Sequence, residues 1–167
     1  MLSMCYAESP ISEKNKELIT LTRKFWDAMD SIKIDQVLQL THPSIYGDSS
    51  GKEKFSEHLK LLKAENTKLK TSVIGSSLGK VSETMKIGDQ EIVFIPRNYS
   101  IDRGEQVQKI QTFAIAIRSN KNEKWRFIDG GFFGPDSKAI LEFFPKLPKN
   151  TKFPIMKSTY VDKRRGE

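Results

Sequence analysis

Hydrophobic residues change their period once along this chain, near Leu69, and that change limits the fold more than any motif does. Upstream, apolar positions recur at helical spacing. Over 11–30 the stripe is Leu18, Leu21, Thr22, Phe25 and Met29, widened by Ile19 and Trp26. A second helix is predicted over 32–41, with Ile34, Val37, Leu38 and Leu40 inward. His42-Pro43 ends it, because proline disfavours helical geometry in the residue before it. After the loop Ser44–Ser50, Ser50 and Glu53 fit a capping box. Phe55, Leu59 and Leu62 then mark a third stripe to about Ala64.

Downstream, the period is two, that of strands. Strands are predicted over 68–78, 81–87, 90–101, 106–118 and 124–130. Gly88-Asp89, Asp102–Glu105 and Asn120–Glu123 are connections short enough for antiparallel hairpins. Gly75 and Gly79 permit a bulge or bend, and Pro96 lacks a ladder donor, so its strand is expected at an edge or bulged there. Long strands interrupted in this way suit a strongly curved sheet. After Gly134, Pro135-Asp136-Ser137 opens a short helix carrying Ala139, Ile140, Phe143 and Phe144. Pro145, Pro148 and Pro154 keep the following chain extended. The expected organisation is an α+β domain over 11–134, an extension over 135–156, and a flexible basic tail over 157–167.

At 167 residues, with 37% hydrophobic and 29% charged positions, the chain suits one globular domain with a real core. No apolar run approaches the roughly 20 residues needed to span a bilayer. The +7 charge is concentrated at the end. Pro145–Glu167 holds five Lys and two Arg against Asp162 and Glu167, which is +5 and leaves +2 for the preceding residues. With no recognition helix, aromatic RNA-binding set or zinc module beside it, this basicity reads as a solvated tail, and no nucleic-acid partner is expected. The one cysteine, Cys5, excludes an internal disulfide or a cysteine metal cluster. Cys5 and Ala7 fit a small-x-small cleavage site, so Met1–Ala7 reads either as an ordinary terminus or as the end of a signal peptide. Periplasmic or secreted localisation is expected, with a cytoplasmic one as the alternative.

Phe25-Trp26 in the first helix and Lys124-Trp125-Arg126-Phe127-Ile128 in the last strand carry a family likeness. Over about 11–131 the chain resembles the nuclear transport factor two-like superfamily, which includes ketosteroid isomerase and polyketide cyclase relatives. The resemblance implies a cone whose sheet wraps around the helices and leaves a cavity at its open end. Members include isomerases, cyclases, dehydratases, hydrolases and non-catalytic binding or adaptor domains, and fold does not choose among them. The extension over 135–167 departs from the family pattern and would cap or narrow the cavity.

Asp129 is the leading chemical candidate. It shares strand parity with Trp125 and Phe127, and an unpaired carboxylate facing a core is costly. It is then hydrogen-bonded, paired with a cation, or protonated with a raised pKa. Carboxyls in apolar cavities are how family enzymes run acid–base chemistry. Alternatively, Asp129 lies past the core and accepts N–H bonds in the Gly130-Gly131 turn. Tyr46, Tyr99 and Trp26 are candidate pocket donors or stacking faces. His42 is a candidate lining residue, and also a helix terminator whose imidazole caps nearby carbonyls. His58, beside Leu59, reads as a rim residue. Neither histidine has metal-ligand spacing, with Asp48 and Glu57 as nearest partners, and no metal or cofactor is expected. Gly75-Ser-Ser-Leu-Gly79 matches a nucleophile elbow at Ser77, but a strand pattern follows and both histidines precede it.

The expected function is binding of a small apolar or amphipathic molecule without catalysis. A lyase or isomerase using Asp129 with Tyr46 is the alternative, and a dimeric interaction module the third reading. Strands 90–101 and 106–118 are apolar on both faces. The face of Ile110, Thr112, Ala114 and Ala116 is expected to pair with a second subunit rather than with Phe153, Ile155 and Met156. Arg118 and Arg126 would lie at the rim of that homodimer.

Overall fold

A computed structural model describes residues 13–120 and 122–163. The expectations resting on Cys5, Met1–Ala7 and the last four residues lie outside these. Three helices open the fold: α1 (Glu13–Asp30), α2 (Ile34–Leu40) and α3 (Ser49–Leu69), with a 3-10 turn, η1 (Pro43–Ile45), between the last two. The predicted stripes are the buried ones: Leu18, Thr22, Phe25 and Trp26 on α1, Val37 on α2, Leu59 on α3. The cap of α3 differs from expectation. Asp48, not Ser50, is the N-cap, its Oδ1 accepting from Gly51 N at 2.8 Å. A carboxylate at this place also meets the positive end of the helix dipole.

The strands are β1 (Ser72–Leu78), β2 (Met85–Ile87), β3 (Gln90–Asp102), β4 (Gln106–Arg118), β5 (Arg126–Asp129) and β6 (Lys157–Asp162). They form one antiparallel sheet in the order β1-β3-β4-β5. Strands β3 and β4 are its spine. They pair without a register break from Glu91 opposite Arg118 to Asp102 opposite Val107. On one flank β1 and β2 lie end to end along β3; on the other, β5 and β6 lie end to end along β4.

Pro96 falls in an interior strand, yet at a local gap. The Pro96 carbonyl accepts from Gly79 N, beyond the end of β1 and before β2 begins. The missing donor therefore faces a place where no regular strand needs it. The sheet is not strongly curled, contrary to expectation. The glycine irregularity is confined to the Val73/Gly75 bulge of the flanking strand β1, and the spine keeps its register.

Two corrections concern the C-terminal third. Residues 157–162 are not a tail: Lys157-Ser-Thr-Tyr-Val-Asp162 pairs with Gln106–Gln111 of β4. β-Branched and aromatic residues at 159–161 suit a strand, and the surrounding lysines disguise it in a charge count. Gln108 Nε2 donates to Ser158 Oγ at 2.9 Å, and Lys163 Nζ reaches Asp102 Oδ1 at 2.7 Å.

The second correction is the cover of the sheet. Ala114 and Ala116 pack with Phe25 and Trp26 under the helices, so they lie on the inner face. The outer face carries Ile92, Phe94, Phe113, Ile115, Ile117 and Ile128. It is covered within the chain by Ile140 of α4 (Ser137–Phe143), by Leu147, and by Phe133, Phe143, Phe144, Phe153 and Met156. The apolar surface that motivated a homodimer is thus already buried by this chain, although Ile155 remains 73% exposed. No described helix is long and apolar enough to cross a membrane.

Chain crossing from the inner to the outer side occurs at η2 (Gly130–Phe133). A Cβ on Gly130 would stand 2.8 Å from Phe113 O and 2.9 Å from the Phe113 ring, so only glycine lets the turn hug the sheet edge. If Ile140 anchors the outer cover, Ile140→Ala lowers the unfolding free energy by about 2–5 kcal/mol. Urea denaturation checks this; a loss below about 1 kcal/mol means the cover packs loosely.

Candidate functional site

Side chains opposite one another on paired strands share a face. Arg97 stands opposite Thr112, and Ala114 stands between Ile95 and Asp129. Arg97, Thr112 and Asp129 therefore all face the helices, along the border of the inner apolar core.

Arg97 is only 2% exposed, and a guanidinium so far from water requires partners. It has them in every direction. Nη2 donates to Asp30 Oδ2 at 2.5 Å and Nε donates to Ser76 Oγ at 2.9 Å. Its carbon lies 4.5 Å from the Trp26 ring centre and 4.2 Å from that of Tyr99. Asp30 is the last residue of α1, so the pair ties that helix to the sheet, with a cation at the negative end of the helix dipole. Nearby, Trp26 Nε1 and Thr112 Oγ1 are buried without a hydrogen-bond partner.

Asp129 faces inward, as its strand parity implied, and also makes the turn bond that the alternative reading expected. It is the N-cap of η2, Oδ1 accepting from Gly131 N at 2.8 Å. It also lines a cleft of about 340 Å³ between α1, η1, α3, β5 and η2. The residue is half-buried, and desolvation dominates the acidity of its carboxyl. Burial raises its pKa above the ordinary 3.8, against the Gly131 N–H, the Arg97 charge and the Thr112 hydroxyl, while Asp30 adds a smaller push upward. The Thr112 hydroxyl acts from close by without a hydrogen bond of ordinary geometry.

Apart from Asp129, the cleft is almost wholly apolar. Phe25 and Met29 of α1 form one wall, and Phe55, Leu59 and Leu62 of α3 the other. Thr41, Ile45 and Ile128 close the cleft at the sheet edge, where Ile45 and Ile128 also belong to the outer cluster. His58 and Phe132, both exposed, mark the opening.

The five sequence candidates are not gathered in one place. Only Asp129 lines this cleft. Trp26 and Tyr99 are the two rings on Arg97; burial, then the Asp129 charge, raises the Tyr99 pKa. Tyr46 backs the cleft wall, its ring 5.4 Å from Phe55, with its hydroxyl 3.5 Å from Leu38 O. Burial is likewise the first cause of its raised pKa. His42 lines a different groove, with Arg118, Glu123 and Arg126. Its imidazole does not cap carbonyls as expected. Nδ1 accepts from Ser44 N at 3.3 Å and meets Ser44 Oγ at 2.6 Å, capping η1. Burial and then Arg126 lower the His42 pKa, consistent with a neutral ring that accepts at Nδ1. Ser77 lies exposed in β1 with no strand-to-helix turn after it.

Sequence reasoning missed Arg97 and Asp30, which lie 67 positions apart. One signal was present: Arg97 has the parity of Val93 and Ile95, so an inward cation was readable even though its partner was not. No family model matches the chain, and no curated protein or solved structure matches it significantly.

Two outcomes follow from this geometry. Asp30→Asn strands a buried guanidinium and costs about 3–5 kcal/mol, whereas Arg97→Met with Asp30→Leu recovers most of that loss. A urea-denaturation double-mutant cycle measures it, and additive losses would contradict the coupling. For Asp129, a native pKa raised above its unfolded value gives a contribution that is full below the ordinary range. It is lost as pH rises through the native pKa. Asp129→Asn, which keeps the capping oxygen, is thus at least as stable as the parent near pH 7. Its advantage disappears on acidification towards about pH 4, where urea midpoints converge; a variant markedly weaker at pH 7 would reverse the sign.

Proposed function

We propose that this chain is a small-molecule-binding domain of the nuclear transport factor two-like type, taking an apolar or amphipathic ligand in the cleft beneath α1 and α3. The helices-first α+β order supports the family reading. The observation that carries the ligand reading is an apolar cleft of about 340 Å³ with a single buried carboxyl in its wall. That size and composition suit a ligand held by apolar contact and oriented by one polar group.

Acid–base chemistry by Asp129 with Tyr46 draws no support from the geometry. Tyr46 is outside the lining and directs its hydroxyl towards Leu38 O. His58 shares the cleft but makes no hydrogen bond to Asp129, whose carboxyl accepts from Gly131 N.

Native mass spectrometry of the purified full chain tests the binding reading, with Leu62→Trp as a variant that fills the cleft from the α3 wall. The expected result is a co-purifying small-molecule mass on the parent that the variant loses while keeping its circular dichroism. An equal ligand load on both proteins would place binding elsewhere.

A further inference from the structure

The charge arrangement around the cleft narrows the ligand class, on the basis of the binding reading above. Asp129 lines the cleft, while Arg97 and Asp30 stand behind the lining and act on it through space. Arg97 is committed to Asp30 and Ser76 through its nitrogens, and to Trp26 and Tyr99 through its faces. It acts on Asp129 through space without bonding to it. Two carboxylates against one guanidinium leave a formal deficit of one positive charge. No Lys or Arg lines the cleft. The walls instead present the rings of Phe25, Phe55 and Phe132 and the thioether of Met29.

We propose that the cleft takes a monocationic amine bearing an aromatic group, its ammonium donating to Asp129 and its ring lying among Phe25, Phe55 and Phe132. An ammonium supplies the missing charge at the one carboxylate, in a site dry enough to strengthen the pairing. Aromatic faces attract the same cation and accept the ring. A carboxylate ligand meets the opposite field, because Asp129 repels it and no Lys or Arg of the lining offsets that charge. A neutral ligand of the same shape gains the apolar contacts and leaves the charge deficit in place.

Titrating the full chain with 2-phenylethylamine, 2-phenylethanol and phenylacetate separates these cases. Calorimetry gives the affinities, and the backbone amide resonance of Gly131, which donates to Asp129, reports on the carboxyl. The expected result is an amine preference of about tenfold or more over the alcohol. No phenylacetate binding is expected, and only the amine should shift Gly131 strongly. Asp129→Asn should remove the preference, the amine falling to about the affinity of the alcohol. The ratio on the parent protein needs no variant, so a folding defect in Asp129→Asn cannot obscure the result. Alcohol binding as tight as the amine overturns this inference and leaves the cleft reading standing. Tighter phenylacetate binding overturns it as well, as does failure of all three to bind. The mass-spectrometric comparison with Leu62→Trp decides the cleft reading separately.

Discussion

Two central strands that are apolar on both faces set the problem the rest of this molecule solves. Ile92, Phe94, Phe113, Ile115 and Ile117 alternate along β3 and β4 with Val93, Ile95, Ala114 and Ala116, and all are buried. An antiparallel sheet with one wet side would show polar alternation. Here each face needs its own layer. The N-terminal helices supply one, and α4 with the proline-spaced segment to Met156 supplies the other. Large aromatic residues do much of the outer work, with Phe94 meeting Phe113 and Phe153 edge to face at 5.9 and 5.3 Å.

The inner layer covers only part of the sheet, because α1 ends at Asp30. The buried polar cluster sits at that border. Trp26 and Tyr99 both lie against the guanidinium, and Ser76 brings the flanking strand β1 into the same network. A buried ion pair is weak evidence of net stability, since desolvation offsets the attraction. Its clearer physical effect is to fix where the end of α1 sits on β3. That placement holds Phe25 and Met29 opposite α3 and so keeps the cleft's first wall in position.

The parts legible in the sequence were those with local periodicity. The three helical stripes, the long strands β3 and β4, and the short α4 all follow from spacing alone. Parity placed Asp129 on the inner face with Trp125 and Phe127. What failed depended on contacts distant in sequence. Which apolar face lay outward could not be read from alternation, because both faces were apolar; Ala116 was assigned to the wrong side. Strand β6 was hidden because basic residues dominate its surroundings, while its pairing partner lies some fifty positions earlier. The candidate aromatic and histidine residues scattered for a related reason. Tyr46, Tyr99 and Trp26 pack where the core ends, Tyr46 with its hydroxyl near Leu38 O and the other two rings against Arg97, whether or not a ligand site is there.

Asp129 joins the two layers. Its carboxyl faces the inner cleft, while the bond it accepts from Gly131 starts the turn that carries the chain over the sheet edge. Within that turn, Phe132 lies at the cleft opening and Phe133 packs in the outer core, against Phe143 and Phe144. Gly130 makes the crossing possible by approaching Phe113 more closely than any side chain allows. A carboxylate near a core is costly unless its lone pairs are used. Here the backbone N–H uses one oxygen and anchors the group, while burial raises its pKa. The same side chain therefore explains how the outer cover begins at this edge of the sheet, and why a largely apolar cleft carries a carboxyl.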